Sequence, residues 1–122
     1  MVVATNRVAG TVYVKIDGKQ VRVRGKWTLN PGEPKREAVV GGDGVHGYTE
    51  KPQACYLEGE ITPTAELNIR ELQNVREASV TVEWGAGKGH VLRGAWFAGD
   101  GTIDLEEGSM TVRFEAMSCE PI

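Results

Sequence analysis

Histidine and cysteine are scarce in this 122-residue chain, with two of each. Cys55 and Cys119 have no closely spaced Cys or His neighbours, which excludes the usual structural zinc sets. No apolar run approaches the roughly 18–20 residues that a membrane helix needs. Met1 to Gly10 lacks the basic start and apolar centre of a secretory signal. The expectation is therefore a soluble protein made in a cytoplasm, with Cys55 and Cys119 as free thiols. A bridge within one subunit or between neighbours, formed after release into an oxidising medium, is the alternative. Helix-favouring stretches are also few, whereas Val, Thr and Gly are abundant, and that balance favours a mainly β domain. The length suits one domain over residues 1–122 with a modest core.

Strand patterns are plain in several places. Val12, Val14 and Ile16 alternate with Thr11, Tyr13 and Lys15, and Asp17-Gly18 marks a hairpin turn. The return strand carries Val21 and Val23 and ends near Trp27, before Asn30-Pro31-Gly32-Glu33-Pro34 breaks the chain. Residues 55–61 form a further candidate strand. A short helix is expected over 69–76, with Asn68 as N-cap, Glu71 completing a capping box, and Leu67 and Leu72 at staple positions. Val80, Val82 and Trp84 alternate with Ser79, Thr81 and Glu83, and Gly85 to Gly89 reads as a loose loop. Val91 to Phe97 and Ser109 to Glu115 complete six or seven strands. The fold class is mainly β with one short α-helix, an antiparallel β-sandwich or partial barrel.

Residues 41–52 hold four of the sixteen glycines, His46 and a closing proline. With its flanks, about 30–53, this stretch reads as a long irregular loop, and a domain of this size seldom keeps one unused. Gly42-Asp43-Gly44-Val45-His46-Gly47 matches G-x-G-x-x-G by letter but lacks the strand before and helix after that a dinucleotide site requires. Gly87-Lys88-Gly89 fails as a phosphate loop for want of Ser or Thr. Asp43, His46 and His90 form no nucleophile motif; the pairs Glu58/Glu60 and Glu106/Glu107 could serve as general acid and base, but Glu58 and Glu60 on one strand face also fit a solvated sheet surface. No enzyme, metal site or cofactor is expected.

The net charge of −3 is unevenly spread. Residues 1–36 hold eight Lys/Arg against two acids, and residues 37–122 hold six against fifteen. A solvated surface is the simple reading; head-to-tail association of a positive and a negative side is the functional one. Lys15, Lys19, Arg22, Arg24 and Lys26 also suggest phosphate contact, but aromatic interleaving is limited to Tyr13 and Trp27.

In order along the chain, Gly10-Thr11-Val12-Tyr13-Val14-Lys15-Ile16-Asp17-Gly18, Asp43-Gly44-Val45-His46-Gly47-Tyr48, Leu92-Arg93-Gly94-Ala95-Trp96 and Val112-Arg113-Phe114-Glu115 resemble the tail tube proteins of Mu-like contractile phages. The resemblance runs from about Gly10 to Met117. It implies a tail-tube subunit that closes into hexameric rings with a continuous inner β-barrel. Stacked rings would form the inner tube of a contractile tail and the conduit for genome delivery. Implied partners are further copies of the chain, a sheath protein outside, a tape measure protein and then double-stranded DNA in the lumen, and baseplate and terminator proteins at the ends. The implied location is the virion, after assembly in the bacterial cytoplasm. On this reading Glu58, Glu60 and Glu83 are candidate lumen acids. Gly42, Asp43, Gly44, His46, Tyr48, Lys15, Arg22 and Arg24 are candidate contacts between subunits or rings. The alternatives are the tube of a tail-derived bacteriocin or secretion machine, and a monomeric β-sandwich binding sugars through Trp27, Trp84 and Trp96. Trp84 argues against the last, because it lies on its strand's apolar face.

Overall fold

The computed structural model describes residues 11–85 and 87–122. Readings placed on residues 1–10 and on Ala86 lie outside them. Eleven strands and one helix are described: β1 (Tyr13–Ile16), β2 (Lys19–Val21), β3 (Val23–Asn30), β4 (Lys35–Gly41), β5 (Gly44–Lys51), β6 (Cys55–Ile61), α1 (Ile69–Gln73), β7 (Ala78–Trp84), β8 (Lys88–Phe97), β9 (Ile103–Asp104), β10 (Ser109–Ala116) and β11 (Ser118–Pro121). All pairings are antiparallel.

The Asp17-Gly18 turn forms as the sequence requires, with both residues at positive φ (49° and 85°), the conformation of the tight primed hairpin turn. The return strand then departs from expectation. It leaves β1 after Val21, and Val23 onward pairs with β6 instead, with a bulge between Arg24 and Thr28. Arg22 is the crossing point, and its carbonyl accepts from the Thr62 amide at 2.8 Å. One set of strands runs β2-β1-β7-β8, with β11 also on β8; the other runs β3-β6-β10, with β9 on β10. They join where Phe114 and Glu115 of β10 pair with Phe97 and Trp96 of β8. Chain continuity through Arg22 ties the opposite side, so the antiparallel strands wrap most of the way round one core.

Strand alternation fills that core from both walls. Val14, Val80 and Leu92 come from one, and Leu57, Ile61, Met110, Val112 and Phe114 from the other, all essentially solvent-free. Each such side chain contributes roughly 1.5–3 kcal/mol by leaving water. Phe97 and Phe114 meet edge-to-face, with centroids 5.8 Å apart. Trp27 fills the core-side space above Gly59 and donates its Nε1–H to the Glu60 carbonyl at 3.1 Å. A Cβ at position 59 would overlap that indole, so only glycine fits.

The helix is shorter than expected, ending at Gln73 with Asn74 as C-cap. Its start agrees: Asn68 Oδ1 accepts from the Glu71 amide at 3.1 Å. Helix α1 leans on the sheet through Leu72, which is buried, and Ile69 and Val75, which are partly so. The expected loop at 85–89 is also shorter, because β8 begins at Lys88.

The largest departure is at 30–53. This segment is not an irregular loop but the β4–β5 hairpin, joined by Gly42-Asp43 alone. It reads as loop because period-2 alternation marks a strand only when one face is buried, and every residue of both strands is exposed except half-buried Gly41. A bulge between Val39 and Val40 breaks the pattern further.

Gly59→Ala should destabilise the fold by about 1–3 kcal/mol through overpacking against Trp27. A lowered urea midpoint with altered tryptophan emission is the expected readout; an unchanged midpoint would show that the indole has room to move.

Candidate functional site

Two surfaces stand out: the outer faces of the strand walls, and the β4–β5 arm. In β6, Leu57 and Ile61 point into the core, which turns Glu58 and Glu60 outward. On the same outer face, Arg113 of β10 lies opposite Glu58 and donates from Nη1 to its Oε2 at 3.1 Å. Its Nε donates to Glu115 Oε1 at 3.4 Å, and its guanidinium sits 4.0 Å from the Tyr56 ring centroid. Glu58 is therefore not a bare carboxylate but one arm of a clamp around a cation. Sequence alternation missed Arg113, whose partners are set by strand register. Glu83 belongs elsewhere. It faces outward from β7, on the other wall, beside Tyr13 and Gly89. Since the core lies between the walls, their outer faces point away from each other, and Glu83 does not share a surface with Glu58 and Glu60.

The arm presents two unlike faces. Residues paired across the ladder share a face, so Arg36 and Glu50, Ala38 and Tyr48, and Val40 and Val45 line one side. Val40, Val45 and Tyr48 are 68%, 72% and 63% exposed. Arg36 Nε reaches Glu50 Oε1 at 2.9 Å, and the guanidinium lies 5.6 Å from the Tyr48 centroid. Lys35, Glu37, Thr49 and Lys51 occupy the opposite side. At the tip, His46 Nε2 and Asp43 Oδ1 are 2.6 Å apart, and that hydrogen bond holds the Asp43 carboxyl below the usual aspartate range. Gly42 and Gly44 flank Asp43 in and after the turn.

The arrangement divides the remaining candidates. His90 is not near the arm tip pair in the fold: it lies in β8, stacked on Trp84 with ring centroids 5.5 Å apart, its Nδ1 buried without a partner. Among the described residues, no three His, Cys, Asp or Glu side chains gather as a metal set. Lys15 is exposed on β1, Arg22 sits at the wall crossing, and Arg24 Nη1 donates to the Glu107 carbonyl at 3.0 Å. The three do not form one patch. Asp104 Oδ1 accepts from the amides of Glu106 and Glu107, so Asp104 caps the turn in which that acidic pair sits. Trp27, Trp84 and Trp96 are half-buried, so no open aromatic platform for sugars is present among them. Cys55 and Cys119 are both free. Burial raises the Cys55 thiol, and burial, then Cys55 and Glu120, push Cys119 up to about 11.

Two outcomes follow from these titrations. Since the folded Asp43 value is lowered, its contribution is present above the ordinary aspartate range and is lost as pH falls through the lowered value. His46→Ala should return the Asp43 carboxyl midpoint to the ordinary range in a carboxyl NMR titration; an unmoved midpoint would mean that the hydrogen bond is not its cause. The native thiols should alkylate much more slowly at pH 8 in the folded protein than in urea, because few are thiolates. Equal rates would contradict their burial.

The chain and its fold have known counterparts. A family model described as phage tail tube protein matches residues 5–121. The Mu-like prophage FluMu tail tube protein of Haemophilus influenzae is 31% identical over 113 residues, covering 93% of this chain and 94% of that protein. Among solved structures, the tube terminating cap of the anti-feeding prophage superposes with a TM-score of 0.64 at 12% identity, covering 100% of this chain and 95% of that one. Hcp1 from Flavobacterium johnsoniae gives 0.59 at 13% identity, covering 90% of this chain and 93% of that one. These two likenesses concern the fold. The match over nearly the whole length, together with the Haemophilus relative, gives the family: this chain belongs to the phage tail tube proteins and is a structural component of a phage tail.

Proposed function

We propose that six copies of this chain close into a ring, and that stacked rings form the inner tube of a contractile phage tail through which the genome passes. The observation that carries the reading is the β4–β5 arm. A two-stranded hairpin is marginal alone in water, and this one exposes Ala38, Val40, Val45 and Tyr48 together on one face. Such an arm persists when another molecule covers it.

The strand edges point the same way. Among the described residues, β3 pairs with β6 on one side only, and β9 pairs only with β10. Main-chain pairing of these edges between neighbours would remove a standing aggregation hazard and give a continuous inner barrel. The lumen wall in this scheme is the outer face of β3, β6 and β10, with Glu58 and Glu115 around Arg113 and Glu60 further along β6, opposite Arg24 and Thr111. Carboxylates there repel DNA phosphates, and the clamp on Arg113 keeps its charge from binding them. Glu83, on the opposite wall, faces away from the DNA. The function is mechanical and electrostatic, with no catalytic step. Sheath, tape measure, baseplate and terminator proteins are the partners at the outside, in the lumen and at the ends.

Negative-stain microscopy of the purified protein over a concentration series should show rings or tubes with a central hole. Monomers at every concentration, even when tail initiation complexes are supplied, would overturn the proposal. Glu58→Gln with Glu60→Gln should slow genome ejection without preventing assembly; unchanged ejection and infectivity would remove the lumen assignment.

A further inference from the structure

The arm needs a surface to cover it, and the same chain carries one that matches. Between α1 and the β1–β2 hairpin lies an open depression of about 200 Å³, lined by Ile16, Val21, Leu67, Leu72 and Val75. It continues past Val21 and Leu67 into a second hollow of about 300 Å³ beside Arg22 and Ile61. Both walls are fixed in place. The hairpin turn is held against β7 by Asp17 N–H to the Ser79 carbonyl and Ser79 N–H to Asp17 Oδ1, each 2.9 Å. The helix start is held by its Asn68 cap.

Charge on the rim is divided by wall. The helix side carries Glu66 and Glu71; the hairpin side carries Lys19 and Arg22 together with Asp17, whose Oδ1 is taken up by the Ser79 amide. The arm's apolar face is divided likewise. Its centre is Ala38, Val40, Val45 and Tyr48, and its base offers one charge of each sign, Arg36 and Glu50, held 2.9 Å apart. An apolar strip flanked by a cation and an anion thus meets an apolar trough with an acidic wall and a wall in which Lys19 and Arg22 outnumber Asp17. Tyr48 is the natural anchor, since a large ring with a polar tip suits a trough whose rim also holds Asn68 and Gln20.

We infer that the groove between α1 and the β1–β2 hairpin is the receptor for the β4–β5 arm of a second copy of this chain. The inference rests on the tube reading above and adds to it the surface on which the arm lands. The contact is heterologous, arm to groove rather than arm to arm, so each copy donates one arm and receives another. That arrangement propagates through a tube without pairing subunits off as closed dimers. It also gives α1 a purpose: a five-residue helix adds little to the core beyond Leu72, but it builds one wall of the trough.

Cysteine cross-linking of assembled tubes tests this directly. Tyr48→Cys combined with Leu67→Cys, oxidised mildly after assembly, should yield a ladder of disulfide-linked multimers on a non-reducing gel. Unmodified protein, whose own thiols are packed away, should yield none. Ala38→Cys with Leu67→Cys probes the same face with a smaller change, in case loss of Tyr48 prevents assembly. A charge exchange, Arg36→Glu, should raise the concentration needed for assembly about tenfold, and adding Glu71→Arg should recover most of it. If tubes form but neither cysteine pair gives a ladder, while Tyr48→Cys cross-links to a cysteine placed elsewhere, the groove is not the receptor and the tube reading stands. If no ring or tube forms from the unmodified protein, both fall.

Discussion

The packing of two strand walls on one thin core governs the rest of this molecule. Phe114, Leu57, Met110 and Val112 from one side meet Val14, Val80 and Leu92 from the other. Further apolar side chains lie on an arm and in a trough that no described residue covers. In the proposed tube, a 122-residue chain of this kind would gain stability by burying such surface against its own copies.

Because the core takes the inward half of each strand, the outward half is free for electrostatics. On β6 and β10 that half is an ion-pair lattice built round Arg113, partly shielded from water and stacked on Tyr56. Exposed pairs of this kind add little to stability on their own. Their greater effect is to hold carboxylates at fixed positions on a rigid sheet, which is the property the proposed lumen wall draws on. The opposite wall, with the paired Arg93 and Glu120 and with Lys15 and Glu83, is more evenly balanced.

The parts of the fold that were legible in the sequence share one property: they touch the core. The alternations in 12–16, 80–84 and 110–114, the Asp17-Gly18 turn and the Asn68 cap all appear where expected, because burial or backbone geometry writes itself into local residue choice. The β4–β5 arm did not announce itself as strands, since neither face is buried within the subunit and its glycines and bulge disrupt the period. The crossing at Arg22 was hidden for a different reason. Val21 and Val23 continue one alternation without a break, and only the choice of partner, β1 or β6, separates them.

By itself the sequence determined the class of fold, the inward faces of most core strands, the short capped helix and, through its ordered motifs, the family. These depend on local periodicity and on residues whose chemistry is self-declaring. Only the tertiary structure decided that the glycine-rich segment is an amphipathic arm, that Glu58 is clamped to Arg113 while Glu83 faces the other way, and that α1 and the first hairpin enclose a trough. Each of those depends on strand register and on which wall a strand joins. Register is set by contacts between segments far apart in the chain, and no local pattern encodes it.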